Sequence, residues 1–530
     1  MNRAMLVDGA EGTARTDTPI VETSYGRVRG FWRDGIHAYL GLRYGEPVEG
    51  PHRFGRPRPP KQWTGVELAY AYGPAAPQAP RPHWNTRDAL AIEEALLLGF
   101  VDGPQSEDCL RLNIWTPAPD GARRPVMVWL HGGHFASGSG HDMAAFEGTN
   151  LAARGDVVVV TLNHRLNILG HLDLETYGER YVGSGNAGML DIVLALEWIR
   201  DNIAAFGGDP NCVTIFGQSG GGAKVTTLMA MPCAAGLFHR AIVQSNCALK
   251  QTDKQTSERL RVAVFDELGL AFRQVDRLHD LPYAELSRAE LAAVARLSPP
   301  PNPARRNRRV RWEPVVDGHI LPRHAFVPDA PEVSAHVPLL VGTTLNEFTH
   351  AIDNPQLELM TEHQVRDELA HSFGAAFSEV YSTFRSRYPQ VSPFDLLSRA
   401  YASTIRECAV LQAQRKAAQN AAPAWLYWFH WQTSVLDGRP RAYHNAELPF
   451  VFANAERCVM ATGGGAEAIS LANNMADAWI AFARNGDPNH SGLPAWRGVS
   501  TGGAETMIFN ATPRFEADAD GPERAATGPA

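Results

Sequence analysis

Residues 212–222 read Cys212-Val213-Thr214-Ile215-Phe216-Gly217-Gln218-Ser219-Gly220-Gly221-Gly222, a β-prone run that ends in a glycine-rich turn. Residues 223–231 follow with the length and apolar period of a helix. The pattern G-x-S-x-G between a strand and a helix is typical of a nucleophile elbow, which presents a serine hydroxyl above an α/β sheet. The flanking backbone comes close in such a turn, so Gly217 and Gly221 must lack side chains. Ser219 is then expected to adopt a strained conformation beside the N–H groups of the helix N-terminus.

Continuous apolar runs alternate along the chain with helical patterns. Such runs suit central strands that are covered on both faces of a parallel sheet. They occur at 126–130, 157–162, 241–244, 339–342 and 425–429. Met189–Phe206 has apolar residues at helical spacing and is followed by Gly207-Gly208, a stop signal. The chain therefore predicts an α/β fold with a large, mostly parallel central sheet and helices on both faces.

The chain gives no sign of a division into separate folding units. We find no internal repeat and no clear linker, so residues 20–514 are interpreted as one α/β domain with helical excursions. Residues 1–19 are polar and small and are expected to be disordered, and 515–530 are expected to form a loose tail. A helix is expected over 88–100, and an all-helical segment is expected over 253–297.

The composition argues against several classes of function. A formal charge of −8 over 530 residues lacks the basic excess of nucleic-acid-binding proteins, and the basic run at 305–311 is interpreted as a solvated loop. The N-terminus has no apolar run typical of a signal peptide, and no stretch of about 18 apolar residues predicts a membrane span. The six cysteines show no C-x-x-C pair and no zinc-ligand spacing. We therefore expect reduced thiols and a cytoplasmic protein. The sequence does not indicate the oligomeric state.

A serine hydroxyl becomes a nucleophile only when a base takes its proton, so a histidine oriented by an acid is needed. Chain order suggests candidates, because α/β-hydrolases carry the serine first, then the acid, then the histidine. Glu347 lies just past the run at 339–342, and His444 follows the run at 425–429. Both would reach the carboxyl ends of parallel strands, where ligands bind in open α/β sheets. Asp317 is the rival acid, and spacing alone does not decide between the two.

The negative oxygen of an acyl-transfer intermediate requires preorganised N–H donors. One is expected to be the amide of Gly220, immediately after Ser219. The others are expected from a glycine-rich loop after an earlier strand, and His131-Gly132-Gly133-His134-Phe135 follows the run at 126–130. This loop is therefore expected to complete an oxyanion hole.

Further motifs extend the pattern along most of the chain. They are Ser106-Glu107-Asp108-Cys109-Leu110-Arg111-Leu112-Asn113-Ile114-Trp115, Asn186-Ala187-Gly188, Phe206-Gly207-Gly208-Asp209-Pro210, Gly342 to Glu347, His444 to Phe452, and Phe482-Ala483-Arg484-Asn485-Gly486-Asp487-Pro488-Asn489. With the loop at 131–133 and the G-x-S-x-G turn, they make residues 20–510 resemble the type-B carboxylesterases. That family also holds the cholinesterases and the bacterial p-nitrobenzyl esterases.

The resemblance implies an α/β-hydrolase fold with helical excursions around an active-site gorge. It also implies a serine hydrolase that cleaves carboxylic esters through an acyl-enzyme intermediate. On the matching positions, the family's catalytic triad falls on Ser219, Glu347 and His444, and its oxyanion amides fall on Gly133, His134 and Gly220. We expect a small-molecule ester as the binding partner, and no cofactor or metal.

Four features depart from the family pattern. Gln218 stands where the family usually has glutamate, and His134 stands at the third glycine of the loop. No cysteine precedes Cys109, so the disulfide that some members form from this position is absent. No tryptophan occurs between Asn85 and Asp108, where cholinesterases place the ring that binds quaternary ammonium. A choline ester is therefore not the expected substrate.

Other interpretations fit part of the pattern. A metal site built from His131, His134 and His141 lacks an H-E-x-x-H motif and a carboxylate at helical spacing. A glycine-rich turn with an incidental serine does not account for the flanking strand and helix. A non-catalytic binding or adhesion-type protein could share the fold, and amide, carbamate or lactone hydrolysis would use the same residues. The sequence does not identify the physiological ester.

Overall fold

The computed structural model describes residues 15–79, 99–101, 103–246, 248–304 and 310–529. Residues 88–98 of the helix expected at 88–100, and most of the basic run at 305–311, lie outside these ranges. Within them, no helix combines the length and the apolar character needed to cross a membrane.

The strands of the described residues are β1 (Ile20–Glu22), β2 (Arg27–Arg29), β3 (Phe31–Arg33), β4 (Ile36–Arg43), β5 (Val66–Leu68), β6 (Arg111–Thr116), β7 (Arg124–Leu130), β8 (Val158–Leu162), β9 (Gly208–Gln218), β10 (Arg240–Gln244), β11 (Leu339–Thr344), β12 (Ala424–Phe429), β13 (Thr506–Phe509) and β14 (Arg514–Glu516). The α-helices are α1 (Thr149–Gly155), α2 (Asn167–His171), α3 (Ala187–Asn202), α4 (Gly220–Leu228), α5 (Lys254–Glu267), α6 (Tyr283–Leu297), α7 (Glu362–Phe373), α8 (Phe377–Arg387), α9 (Pro393–Ala417), α10 (Leu448–Val451), α11 (Val459–Thr462), α12 (Gly465–Asn485) and α13 (Gly521–Thr527).

An 11-stranded sheet organises the chain, in the order β14-β13-β12-β11-β10-β9-β7-β8-β6-β4-β3. The strands from β13 to β8 in this order pair in parallel. Antiparallel pairs stand at both edges. A small separate sheet contains β1, β2 and β5. The predicted large, mostly parallel sheet is therefore confirmed.

The side chains of β7 show why its sequence is continuously apolar. Val126, Val128 and Leu130 pack into one core, which includes residues of α3. Met127 and Trp129 point the other way and pack into a second core, which includes residues of α12. Because both faces of the strand are covered, neither set of alternating side chains reaches water.

Two groups of helices extend from the sheet and have cores of their own. The first contains α5 and α6, joined by a 3-10 segment at Phe272–His279, and packs on α2. This group confirms the all-helical segment predicted over 253–297. The second contains α7, α8 and the N-terminal half of α9.

The N-terminal region is more structured than the sequence suggests. The backbones of Arg15 and Trp32 exchange two hydrogen bonds, of 2.9 and 2.8 Å. The disorder predicted over 1–19 is therefore wrong for Arg15, where the chain is held against the outer strand of the sheet, and residues 1–14 lie outside the described part.

The C-terminal tail is also held in place. β14 pairs with β13, and α13 packs against α9. Arg524 donates hydrogen bonds of 2.8 Å to both Asp518 and Glu407. The loose tail predicted over 515–530 is therefore wrong for residues 515–527. The partners on α9, including Glu407, lie far away along the chain, so the local Ala-, Pro- and Gly-rich composition does not reveal them.

Candidate active site

Ser219 occupies the turn between β9 and α4. Its φ of 58° and ψ of −121° lie in a region that non-glycine residues rarely adopt. A Cβ on Gly217 would lie 2.6 Å from the carbonyl carbon of Gly221, and a Cβ on Gly221 would lie 1.9 Å from the carbonyl oxygen of Leu130. The turn therefore requires both glycines, as the sequence predicts. Ser219 is half-buried, whereas the residues on either side of it are buried.

The carboxylate of Glu347 follows β11 and is held at both oxygens. Oε1 accepts hydrogen bonds from the hydroxyl of Ser245 at 2.8 Å and from the N–H of Thr344 at 2.9 Å. Oε2 accepts a short hydrogen bond from Nδ1 of His444. Glu347 is only 1% exposed, so its hydrogen bonds replace those that water would supply.

The imidazole of His444 is oriented by Glu347. Because Nδ1 donates to the carboxylate, Nε2 is the acceptor in the neutral ring. Nε2 is buried and makes no hydrogen bond to any described residue. The ring of Phe348 packs on the imidazole with 3.7 Å between the ring centroids. The packing and the hydrogen bond fix the ring and leave Nε2 able to accept a proton.

The parallel sheet explains why these residues meet. Ser219, Glu347 and His444 follow β9, β11 and β12, which end at the same edge with β10 between the first two. The N–H of Ser219 donates to the carbonyl of Gln244 at the end of β10, at 2.8 Å. Glu347 also forms a parallel bridge with Tyr443, the residue before the histidine. All three residues predicted as a triad therefore lie at one edge of the sheet.

The rival acid, Asp317, has a different set of partners. Its Oδ1 accepts hydrogen bonds of 2.9 to 3.0 Å from the backbone N–H groups of His319, Ile320 and Leu321. Its Oδ2 accepts from the side-chain amide of Asn186 at 2.9 Å. These contacts hold a surface turn against the start of α3, and no described hydrogen bond joins Asp317 to His444.

Two carbonyl groups of the loop at 131–135 accept hydrogen bonds from neighbouring residues. The carbonyl of Gly132 accepts from Nδ1 of His131 at 2.9 Å, and that of Gly133 accepts from the N–H of Ser137 at 3.1 Å. In a trans peptide the N–H points away from the carbonyl, so the N–H groups of Gly133 and His134 lie on the opposite edge of these peptides. A Cβ on Gly132 would lie 3.6 Å from the Cβ of Ser219, so the loop lies beside the serine.

Sequence reasoning missed two side chains that support these groups. Ser245 follows β10 and bonds Glu347, and its position at the end of a central strand is the signal that could have found it. Lys224 lies on α4, where its Nζ donates to the carbonyls of His131 and His134 at 2.8 and 2.9 Å. A lysine in a helix gives no sequence signal of burial, because lysine is mostly exposed.

Comparison with known proteins shows the family to which the chain belongs. The sequence model of the carboxylesterase family matches residues 17–523. The chain belongs to the carboxylesterase family. This membership confirms the resemblance drawn from the motifs, and it agrees with the α/β-hydrolase fold.

Relatives with established names span nearly the whole carboxylesterase chain. The para-nitrobenzyl esterase of Bacillus subtilis is 34% identical over 515 residues, which cover 95% of this chain and 97% of the relative. The phenmedipham hydrolase of Pseudarthrobacter oxydans is 33% identical over 490 residues, which cover 90% and 92%.

Solved structures give the same result. An esterase from Clostridium hathewayi, described as able to hydrolyse aliphatic aromatic polyesters, is 36% identical, with a TM-score of 0.81 over 97% of this chain and 99% of that one. A carboxylesterase from Geobacillus stearothermophilus is 35% identical, with a TM-score of 0.78 over 97% of this chain and 100% of that one. The protein is therefore a carboxylic-ester hydrolase of the serine type.

The positions where this carboxylesterase departs from the family pattern have defined surroundings. The side-chain amide of Gln218 donates a hydrogen bond of 2.7 Å to the carbonyl of His444. Nδ1 of His134 lies 3.5 Å from a guanidinium nitrogen of Arg311. Cys109 is a free, buried thiol, and burial raises its pKa well above the ordinary range, so the thiol stays neutral.

Proposed function

We propose that this carboxylesterase hydrolyses small-molecule esters with Ser219 as nucleophile, His444 as general base and acid, and Glu347 as the residue that orients the imidazole. The observation that carries the proposal is the hydrogen bond from Nδ1 of His444 to the buried Glu347 carboxylate, with Nε2 left as the acceptor. The strained serine on the elbow, at the same sheet edge, supports the choice of nucleophile.

The reaction proceeds in two halves. Nε2 of His444 takes the proton of the Ser219 hydroxyl as Oγ attacks the ester carbonyl, and the imidazolium then gives that proton to the leaving alcohol. Water attacks the resulting acyl-enzyme with His444 again as the base, and the collapse of the second tetrahedral intermediate returns the proton to Ser219. The negative charge of Glu347 stabilises the imidazolium in both halves. The hydrogen bonds from Ser245 and Thr344 to Oε1 hold the carboxylate in place while Oε2 faces the imidazole.

The N–H groups of Gly133, His134 and Gly220 are proposed to bind the oxyanion of both intermediates. Support comes from the bonded carbonyls of Gly132 and Gly133, because the first two N–H groups lie on the opposite edge of the same peptides. Gly220 packs against the loop so closely that a Cβ on it would lie 2.4 Å from the nitrogen of His134. Removing one such donor typically costs about 10²–10³ in turnover.

The substrate is proposed to be a small ester with a benzyl or alkyl alcohol. The name of the para-nitrobenzyl esterase and the polyester-cleaving relative support this range. A screen of acyl-chain length against alcohol bulk is the experiment that narrows the range of substrates.

The cytoplasmic location stays a prediction, which fractionation of the native cells would test.

Burst kinetics test the mechanism. With a p-nitrophenyl ester, an acyl-enzyme that accumulates gives a burst of nitrophenol of about one equivalent per chain. Ser219→Ala is expected to abolish both the burst and the turnover while the thermal unfolding curve stays similar. A folded wild-type protein without a burst or turnover would instead support the non-catalytic binding interpretation.

A further inference from the structure

Lys224 lies on α4 just after the nucleophile turn and is fully buried, with 0% of its surface exposed. Its Nζ donates to the carbonyl oxygens of His131 and His134, at 2.8 and 2.9 Å. The ammonium also lies 5.3 Å from the centroid of the Phe135 ring. Both of these hydrogen bonds and the contact with Phe135 are therefore with the loop proposed to bind the oxyanion.

A buried lysine is costly, because the ammonium loses its hydration. Burial lowers the pKa of Lys224 to about 7, and the charge of Asp142 offsets this only in part. A methionine of similar length would fill the same space without that cost. The interaction with the loop is thus the feature of Lys224 that an apolar residue could not supply.

The two bonded carbonyls stand at either end of the loop. The carbonyl of His131 fixes the peptide between residues 131 and 132, and that of His134 fixes the peptide between residues 134 and 135. The two peptides between them carry the N–H groups of Gly133 and His134. One side chain therefore holds both flanks of the pair of proposed donors, and it does so from the same helix whose first residue is the third proposed donor, Gly220.

We propose that Lys224 is a positioning residue for the oxyanion hole, and that its bonds to the carbonyls of His131 and His134 hold the N–H groups of Gly133 and His134 in place for the transition state. The inference rests on the proposed oxyanion role of those amides. The lysine nitrogen keeps at least two N–H donors whether or not it is protonated, so it can hold both carbonyls of a loop that must not relax as charge develops on the substrate.

Lys416 offers a matched control. It is also fully buried, and its Nζ donates to the carbonyls of Ser334 and Ala335, at 3.0 and 2.5 Å, and to the side-chain oxygen of Gln419 at 3.0 Å. Its partners belong to segments outside the site. Lys224→Met and Lys416→Met therefore remove the same kind of bond, and only the first touches the loop.

The test measures p-nitrophenyl butyrate turnover and inhibition by a trifluoromethyl ketone, which adds to the serine and places an oxyanion in the hole. For Lys224→Met we expect kcat to fall roughly 10- to 100-fold with KM little changed, and the inhibition constant of the ketone to rise by the same factor as kcat/KM falls. Lys416→Met should leave both quantities within about 2-fold of wild type, although it lowers the unfolding temperature.

A folded Lys224→Met protein with wild-type kcat and ketone affinity would overturn the proposal. An equal loss of kcat and ketone affinity in Lys416→Met would also overturn it, because the effect would then come from a general loss of stability. If Lys224→Met does not fold, Lys224→Gln replaces it, since the glutamine side chain is one bond shorter and its amide cannot keep both hydrogen bonds at their present lengths. We then expect a smaller loss with the same proportion between kcat/KM and ketone affinity, and no loss would overturn the proposal. The burst assay on wild type and Ser219→Ala tests the nucleophile independently of Lys224. A failure of the proposed function can therefore be told apart from a failure of the inference about Lys224.

Discussion

The side-chain amide of Gln218 donates a hydrogen bond of 2.7 Å to the backbone carbonyl of His444, 226 residues further along the chain. This bond ties the segment that carries the proposed base directly to the residue before the proposed nucleophile. Gln218 is only 1% exposed, so water does not replace the bond if it is lost. The family usually has glutamate here, yet an ionised carboxylate has no proton to donate to a carbonyl.

Gln218→Glu is therefore expected to destabilise this protein by about 2–4 kcal/mol at pH 8, where a carboxylate would face the His444 carbonyl. The loss should be smaller at pH 5, because a protonated glutamate can still donate the bond. Urea unfolding at the two pH values checks the prediction. Gln218→Met loses the bond without adding charge, so its destabilisation should not change with pH in this way. A Gln218→Glu protein as stable as wild type at pH 8 would contradict this account of the contact.

The two rival acids are expected to respond differently to neutral substitution. Glu347→Gln replaces the acceptor for Nδ1 of His444 and should favour the wrong tautomer, lowering kcat by about 10³–10⁴-fold with little change in KM. Asp317→Asn should instead weaken the turn at His319 to Leu321 and lower the unfolding temperature, with kcat near wild type. Steady-state kinetics and thermal unfolding of both variants separate the roles. A larger kcat loss in Asp317→Asn would give the acid role to that residue.

Glu447 is expected to make stability depend on pH. It is fully buried, and burial raises its pKa to about 8, although the side-chain amide of Gln244 donates to its Oε1 at 2.9 Å. Between about pH 4.5 and 8 the folded chain keeps a proton that the unfolded chain has lost, so this group reduces stability as the pH rises through that window.

Glu447→Gln removes that titration. We expect the variant to match wild type near pH 5 and to be more stable by roughly 2–4 kcal/mol at pH 9, as measured by urea unfolding. Glu67→Gln, at an exposed position, is the control and should show no such divergence. Parallel pH profiles for wild type and Glu447→Gln would show that the carboxyl is already ionised in the fold.

The nucleophile turn tolerates no side chain at its last glycine. A Cβ on Gly221 would lie 1.9 Å from the backbone oxygen of Leu130, which belongs to a central strand and cannot move aside. Gly221→Ala should therefore give insoluble or inactive protein, with a loss above about 3 kcal/mol in any folded fraction. Gly121→Ala, where an added Cβ meets no atom within 4 Å, should be close to neutral. Soluble yield, unfolding temperature and esterase activity check the pair.

Much of the fold can be predicted from the sequence, because a strand buried on both faces of the sheet has a continuous apolar sequence, which is a local pattern. The apolar run at 126–130 forms the last five residues of β7, and the glycines around Ser219 stand where the turn brings backbones close together. The chain order of serine, acid and histidine, each after an apolar run, also suggested Glu347 and His444. The choice of Glu347 over Asp317 needed the family resemblance, because both follow segments of similar character.

The features that the sequence did not reveal depend on contacts distant in the chain. Lys224 reads as a solvated helix residue, and its burial follows from the loop folding over α4. The C-terminal tail looks loose, and it is held by Arg524 bonding to Glu407 on another helix. Neither arrangement leaves a periodic or compositional signal near the residue itself.

Labelling by a fluorophosphonate tests the central claim most directly, since the reagent phosphonylates a serine only when its hydroxyl is activated. We expect one label per chain, recovered by peptide mass mapping on the peptide that contains Ser219, with loss of esterase activity in proportion to labelling. Ser219→Ala should take up no label. A label on another serine with Ser219 unmodified, or esterase turnover retained by Ser219→Ala, would contradict the assignment of the nucleophile.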